Sequence, residues 1–314
     1  MPDAMTRIGT SDLDVRPLNL GGNVFGWTAD EATSHAVLDA FVEGGGDFID
    51  TADVYSAWSD GGAGISETII GTWLAKTGKR DQVVIATKVA SKEDRKGLSA
   101  DNIAKAVDES LQRLQTDRID LYWAHQDDRT VELAETLGAF DELVTAGKVR
   151  AIGASNYTGA RLTEALETSR REGFASYAAV QNHYNLVERA EYEQDALPVV
   201  EANGLASLPY YSLASGFLTG KYRPGQLAES QRRAGAAKYL DDPRGPRVLE
   251  ALDSVAAAHG VQVASVALAW LRQQPTVVAP IASARTVEQL PALLASMDLE
   301  LSGEELATLD AASR

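Results

Sequence analysis

The chain has 314 residues, 45% of them hydrophobic and 24% charged, a composition that supports a packed core and argues against disorder. Lysine and arginine total 29 against 45 acids, a formal charge of −16, which argues against a broad nucleic-acid or anionic-membrane surface because both require basic patches. With no cysteine there is no disulfide, no thiolate nucleophile and no cysteine-ligated metal.

The opening MPDAMTRIGTSDLDV carries acids and no apolar run, unlike a secretory signal, and its RIGTSDLDV portion reads as a small hairpin suited to closing the bottom of a barrel. From Leu18 to Ile281, short apolar runs alternate with longer segments of helical period. The strand candidates are LNLGG at Leu18, DFID ending at Asp50, VVIATK ending at Lys88, IDLYWAH ending at His125, VRAIGAS ending at Ser155, AAVQN ending at Asn182, LASLPYY ending at Tyr211 and VVAPI ending at Ile281. Between them, segments beginning at Ser66, Ser99, Thr130 and Thr158 place apolar residues at three- and four-residue spacing, as on a helix with one buried face. Ser99 and Thr130 stand where N-caps are expected, and Gly147 and Gly173 where helices stop.

Eight alternating units fit a closed (β/α)8 TIM barrel better than an open doubly wound sheet, whose GxGxxG fingerprint should follow the first strand. Here that strand runs into GGNVFGW, which does not fit. Ser212 to Pro246 is long and rich in Gly, Pro and charge, and loops of that length are usually functional or mobile. After Ile281 come two extra C-terminal helices, TVEQLPALLAS and SGEELATLDAAS, the second opened by a capping box from Ser302 to Glu305. Without repeats or an evident linker, residues 1–314 read as a single barrel domain. No stretch approaches the length of a membrane span, and the expected location is cytoplasmic.

Chemistry concentrates at strand ends. Asp50 and Tyr55 lie in FIDTADVY, Lys88 closes VVIATK and His125 closes IDLYWAH. A phenol is a poor acid at neutral pH, with a reference pKa of about 10, but a neighbouring ammonium stabilises the phenolate and brings that value down. Lys88 can be that ammonium, Asp50 its partner, and His125 the group that holds a carbonyl oxygen, so the four read as a proton-delivery device. Taken singly, each has a structural explanation as a cap, a packing residue or a solvated strand end. Their coincidence at the C-terminal ends of successive strands, where barrels place their active sites, favours catalysis. His35, His125, His183 and His259 show no HxxxH or HExxH spacing, so no zinc site is expected.

Taken together, DTADVY, the lysine of ATK, the histidine of DLYWAH, GASNY, VQNHYN, SLASGFLTGKY and ARTVEQL resemble the aldo-keto reductase superfamily over nearly the whole chain. The long-loop style with LTGKY and EQL is most similar to the branch of bacterial general-stress reductases and potassium-channel β-subunits. The resemblance implies an NADP(H)-binding barrel that interconverts small-molecule aldehydes or ketones with alcohols, with Tyr55 as general acid, Asp50 and Lys88 tuning it and His125 orienting the carbonyl. It implies that Ser155, Asn156 and Gln181 meet the nicotinamide carboxamide and that Tyr211 stacks on the ring. Ser212, Leu213, Ser215, Gly216 and Leu218 would hold the pyrophosphate, with Lys221 adding charge. Arg285 would meet the 2′-phosphate and Gln289 the cofactor one turn on. Two departures stand out: Ala282 and Ser283 replace the usual proline-glycine, and Ala292 and Leu293 replace the acid and asparagine that commonly hold adenine. Trp27, Trp58, Trp123 and Gln126 are candidate substrate walls. A cofactor-bound regulatory or scaffold subunit is the alternative reading, and the oligomeric state is open.

Overall fold

The computed structural model describes residues 5–59, 62–223 and 233–314. Eight parallel strands, Asn19–Gly21, Phe48–Asp50, Val84–Val89, Ile119–Ala124, Val149–Ser155, Tyr177–Gln181, Ala206–Ser207 and Ile281–Ala282, form one sheet. Their spatial order runs from the seventh down to the first and then to the eighth. The two edges meet through a parallel bridge between Ser207 and Val277, with the Val278 and Ile281 amides donating to the carbonyls of Ser207 at 3.0 Å and Pro209 at 2.9 Å. The sheet is therefore a closed (β/α)8 barrel.

Why the strands carry so few alternating signals is visible in their burial. Ile119–Ala124 is buried at every position, because one face meets the helices and the other the barrel interior. That interior is narrow and lined by Ala86, Ala151, Ala179, Ala206 and Ala279 around Phe48 and Trp123. Small residues make room for the indole. A Cβ on Gly153 would run into the Trp123 ring. Trp123 thus fills the barrel and is not a substrate wall.

The N-terminal hairpin pairs Thr6–Arg7 with Asp14–Val15, and its Ile8, Leu13 and Val15 join the interior cluster from below. There, too, the buried Asp120 takes hydrogen bonds from the Ile85 amide and the Arg80 guanidinium, both at 2.8 Å, tying the third strand to the fourth.

Helix ends follow local chemistry. Ser99 and Thr158 cap Ala100–Leu114 and Gly159–Glu172 by accepting from the amides of Asn102 and Arg161. Gly173 ends the second of these in a left-handed conformation, and Gly147 follows the helix Leu133–Thr145 with positive φ. Thr130 does not cap that helix. Its hydroxyl donates to Asp128 at 2.6 Å, and the helix starts two residues later from Glu132, since Asp128 offers a nearer acceptor within the turn.

TVEQLPALLAS is not one helix but a short α-helix, Leu290–Leu294, between two 3-10 turns, with Pro291 restricting how it begins. Gly303–Ser313 carries the capping box. The segment from Ser212 contains a 3-10 turn, Ala214–Thr219, and a helix, Arg233–Asp241, while residues 224–232 lie outside the described residues. Residues 60–61, beside Trp58, also lie outside them. Among the described residues no single helix is long and apolar enough to cross a membrane.

Candidate active site

The C-terminal ends of the strands surround a cavity of about 710 Å³ lined by Asp50, Tyr55, His125 and residues of the loops above them. Backbone strain marks this rim: Ser56, Ala90, Asn156, Tyr211, Ala214 and Ser215 all adopt positive φ. Non-glycine residues hold such conformations only where the surroundings over-determine them.

Lys88 is fully buried, and the three donors of its ammonium meet three acceptors. It forms a short ion pair with Asp50, donates to the Thr51 carbonyl at 2.7 Å and donates to the Tyr55 hydroxyl oxygen at 2.9 Å. Because the phenol oxygen accepts from Lys88, its own hydrogen is free to point into the cavity. Asp50 accepts on its other oxygen from Gln181 Nε2 at 3.0 Å, so the carboxylate is held from both sides.

Burial pushes the Tyr55 phenol above its ordinary pKa, and the Lys88 ammonium partly offsets that rise. The sequence reading anticipated a lowered value. The net direction is the reverse, because desolvating the phenolate outweighs the single favourable charge. Lys88 stays above its usual range: desolvation opposes this, and Asp50 with Tyr55 overrides it. His125 is held down to about 3 by desolvation and by Lys88, so its imidazole is neutral. Its ring lies 6.1 Å from that of Tyr55 at 75°, its carbonyl accepts from Asn156 at 3.0 Å, and its Nδ1 is buried with no partner among the described residues.

Ser155, Asn156 and Gln181 sit together beside the tetrad. Ser155 Oγ donates to the Gln181 carbonyl at 2.9 Å, and Asn156 Nδ2 donates to Ser155 Oγ at 3.1 Å. Tyr211 stands over the cavity with 48% of its surface exposed, an aromatic face open for stacking.

Ser212, Leu213, Ser215 and Gly216 line the next stretch, where positive φ at Ala214, Ser215 and Gly216 curls the backbone into the kind of concavity that binds anions. Gly216 has φ +91 and leaves room for Lys221, whose Nζ would be 3.3 Å from a Cβ there. Leu218 departs from the reading. Its side chain is fully buried in the core and its amide donates to the Leu213 carbonyl at 3.2 Å, so it does not line the cavity.

At the far end lie Arg285, Gln289, Ala292 and Leu293. Among the described residues neither Lys221 nor Arg285 pairs with a carboxylate. Gln289 accepts from the Arg285 amide at 2.9 Å through its side-chain carbonyl, so it shapes the turn that presents the arginine. Ser283 donates to Asn23 at 2.7 Å, drawing the eighth-strand loop against the first. Trp27 and Trp58 meet edge to face at 5.7 Å, and both line the cavity together with Gln126.

This donor set can accommodate an extended dinucleotide. Amide-type partners stand at one end, an exposed aromatic face beside them, a curled backbone in the middle and, beyond, two cations, Lys221 and Arg285, with no carboxylate partner among the described residues.

Two residues escaped the sequence reading. Tyr210 lines the cavity beside Tyr211, although strand alternation would send them to opposite faces; positive φ at Tyr211 breaks that alternation. Asp53, two residues before Tyr55, is wholly buried, and neither carboxylate oxygen has a hydrogen-bond partner among the described residues. Desolvation and the nearby Glu67 raise it to about 7. Its signal was the second acid of DTADVY.

A family model described as "Aldo/keto reductase family" matches residues 17–314. The chain is similar to "Protein tas" of Escherichia coli (strain K12), 34% identical with 97% of this chain and 96% of that one covered. It is also similar to "Aldo-keto reductase YhdN" of Bacillus subtilis (strain 168), 36% identical over 96% of this chain and 89% of that one. A third relative, "Norsolorinic acid reductase stcV" of Emericella nidulans, is 34% identical over 93% of this chain and 76% of that one.

Proposed function

The chain belongs to the aldo/keto reductase family, and from that premise we propose that it is an NADP(H)-dependent oxidoreductase that reduces an aldehyde or ketone to an alcohol, with Tyr55 as general acid. The observation that carries this reading is the Lys88 ammonium, which bonds Asp50 and Tyr55 at once and leaves the phenolic hydrogen free for another acceptor beside the cavity.

NADP(H), when bound, supplies or accepts the hydride. Tyr55 delivers its proton to the substrate oxygen, and the phenolate left behind is stabilised by Lys88 at 2.9 Å, a charge already in place before reaction. A raised phenol pKa keeps the acid protonated at neutral pH, as reduction requires. His125, neutral and beside Tyr55, donates one N–H to the same oxygen and orients it. Asp50 keeps Lys88 charged. Ser155, Asn156 and Gln181 would hold the carboxamide, and Tyr211 would cover the ring.

Arg285 favours the cofactor with a 2′-phosphate, since a guanidinium matches that dianion in charge and geometry. Ala292 and Leu293 offer adenine only apolar surface, which predicts an ordinary absolute affinity. Trp27 and Trp58 suit apolar carbonyls. The test is a screen of purified protein with NADPH against aldehydes, ketones, α-dicarbonyls and sugars, following cofactor oxidation. Turnover of at least one class is expected. Tight NADPH binding with no turnover of any would favour a regulatory subunit instead.

A further inference from the structure

We propose that Tyr210 is a positioning residue that sets the slot for the nicotinamide end of the cofactor, an inference that rests on the proposed function. Its hydroxyl donates to Asn156 Oδ1 at 2.8 Å, and this bond joins the end of the seventh strand to the end of the fifth. The residues proposed for the ring and for its carboxamide, Tyr211 and Asn156, follow those same two strands. Tyr210 is the side chain that ties their spacing.

The bond also fixes what Asn156 offers. Asn156 Nδ2 uses its two hydrogens on the His125 carbonyl at 3.0 Å and Ser155 Oγ at 3.1 Å. Oδ1 accepts from Tyr210 with one lone pair and keeps the other for an incoming donor. A flipped amide would set its carbonyl against that of His125 and turn its NH₂ toward the phenol. The phenol could accept from that NH₂, but the His125 carbonyl cannot donate, so the His125 contact selects the orientation that presents an acceptor to Tyr210. Burial and the neighbouring Tyr211 hold the Tyr210 pKa up at about 12, so the phenol remains a donor throughout the working pH range.

Behind it, Tyr210 is itself braced. His183 stacks on its ring at 5.5 Å and 15°, and Tyr211 meets it edge-on at 5.3 Å. Asn185 Oδ1 accepts from the amides of Val187 and Glu188 at 2.9 and 3.0 Å, which fixes its amide so that Nδ2 donates to the Tyr211 carbonyl at 2.9 Å and to His183 Nε2 at 3.3 Å. His183 must therefore accept at Nε2, which requires a neutral ring. From Tyr210 hydrogen bonds run through Asn156 and Ser155 to the Gln181 backbone carbonyl, and from the Gln181 side chain through Asp50 and Lys88 to the Tyr55 hydroxyl. The proposed carboxamide site and the proton donor belong to one network, and Tyr210 closes its outer end.

Tyr210→Phe keeps the stacked ring and removes only the hydroxyl. By fluorescence or calorimetric titration it should weaken binding of oxidised NADP about fivefold, the worth of one net hydrogen bond. Binding of adenosine 2′,5′-bisphosphate, which lacks the nicotinamide, should be unchanged. In an Asn156→Ala background the same substitution should add less than about twofold, because the acceptor is gone. Equal weakening of both ligands would reduce Tyr210 to a structural role. An undiminished effect without Asn156, or no effect in the single variant, would overturn the assignment. Should the wild type bind neither ligand, the cofactor reading and this inference fall together; tight wild-type binding with an inert Tyr210→Phe removes only the inference.

Discussion

At the tetrad end of the cavity the polar groups are tied to one another: Asp50 is held on both oxygens and Lys88 through all three donors. At the far end Lys221 and Arg285 have no carboxylate partner among the described residues, and Ala292 and Leu293 present apolar surface. The first region is organised by its own bonds before any ligand arrives, the arrangement that transition-state stabilisation favours. In the second, two cations line the cavity and, on the proposed function, would meet the cofactor phosphates. Chemistry and grip are thereby separated along one cavity, and substitutions at the two ends should fail in different ways.

The largest expected effect is Tyr55→Phe, which should lower turnover about 10²-fold or more while leaving cofactor affinity nearly unchanged, since general acid catalysis acts in the transition state. Steady-state rates paired with a fluorescence titration read both quantities, and retention of more than about a tenth of the rate would remove the acid assignment. Lys88→Met should also cost rate and shift the alkaline limb. In the wild type, reduction falls and alcohol oxidation rises as the phenol ionises at high pH; loss of the ammonium moves both changes to higher pH. An unchanged profile with persisting activity would make Lys88 structural only.

Tight burial at the tetrad end carries a cost in stability that the open end does not. Asp53 is raised to about 7, so the folded protein keeps this proton to a higher pH than the unfolded chain does. Its contribution to stability is fully present below the unfolded value near pH 4, declines as pH rises through about 7 and is level beyond. The decline is at most about 4 kcal/mol. Asp53→Asn should flatten it, as denaturant unfolding at pH 5 and pH 8 would show; equal losses in both proteins would mean that Asp53 is not the titrating group.

The smallest effect belongs to the far end. A charge-assisted pair contributes about 1.5 to 3 kcal/mol, or roughly tenfold to a hundredfold in affinity. Arg285→Ala should therefore narrow a moderate NADPH preference by weakening NADPH alone. Titration of both cofactors against both proteins checks it, and equal weakening of NADH would show that Arg285 does not read the phosphate.

The two regions also differed in how much the sequence disclosed. Asp50, Tyr55, Lys88 and His125 could be found together because each stands at or just after the end of an apolar run, and a barrel converts that position into convergence. Trp123 was misplaced because its strand is buried on both faces, which erases the alternation that separates inward from outward. Tyr210 was hidden by a backbone conformation no pattern announces, and Asp53 by its resemblance to a solvated loop acid. Thr130 has the right residue type for a cap but a better acceptor in Asp128. The closing contacts of the barrel, made around Ser207 and Val277, belong to strands too short to be bounded from sequence.

The separation of chemistry from grip is tested most directly by measuring, side by side, the NADPH dissociation constant and the single-turnover rate of NADPH oxidation in wild type, Tyr55→Phe and Arg285→Ala. Tyr55→Phe should change the rate and spare the constant, while Arg285→Ala should change the constant and spare the rate at saturating NADPH. Either variant altering both quantities to a similar degree would contradict the account.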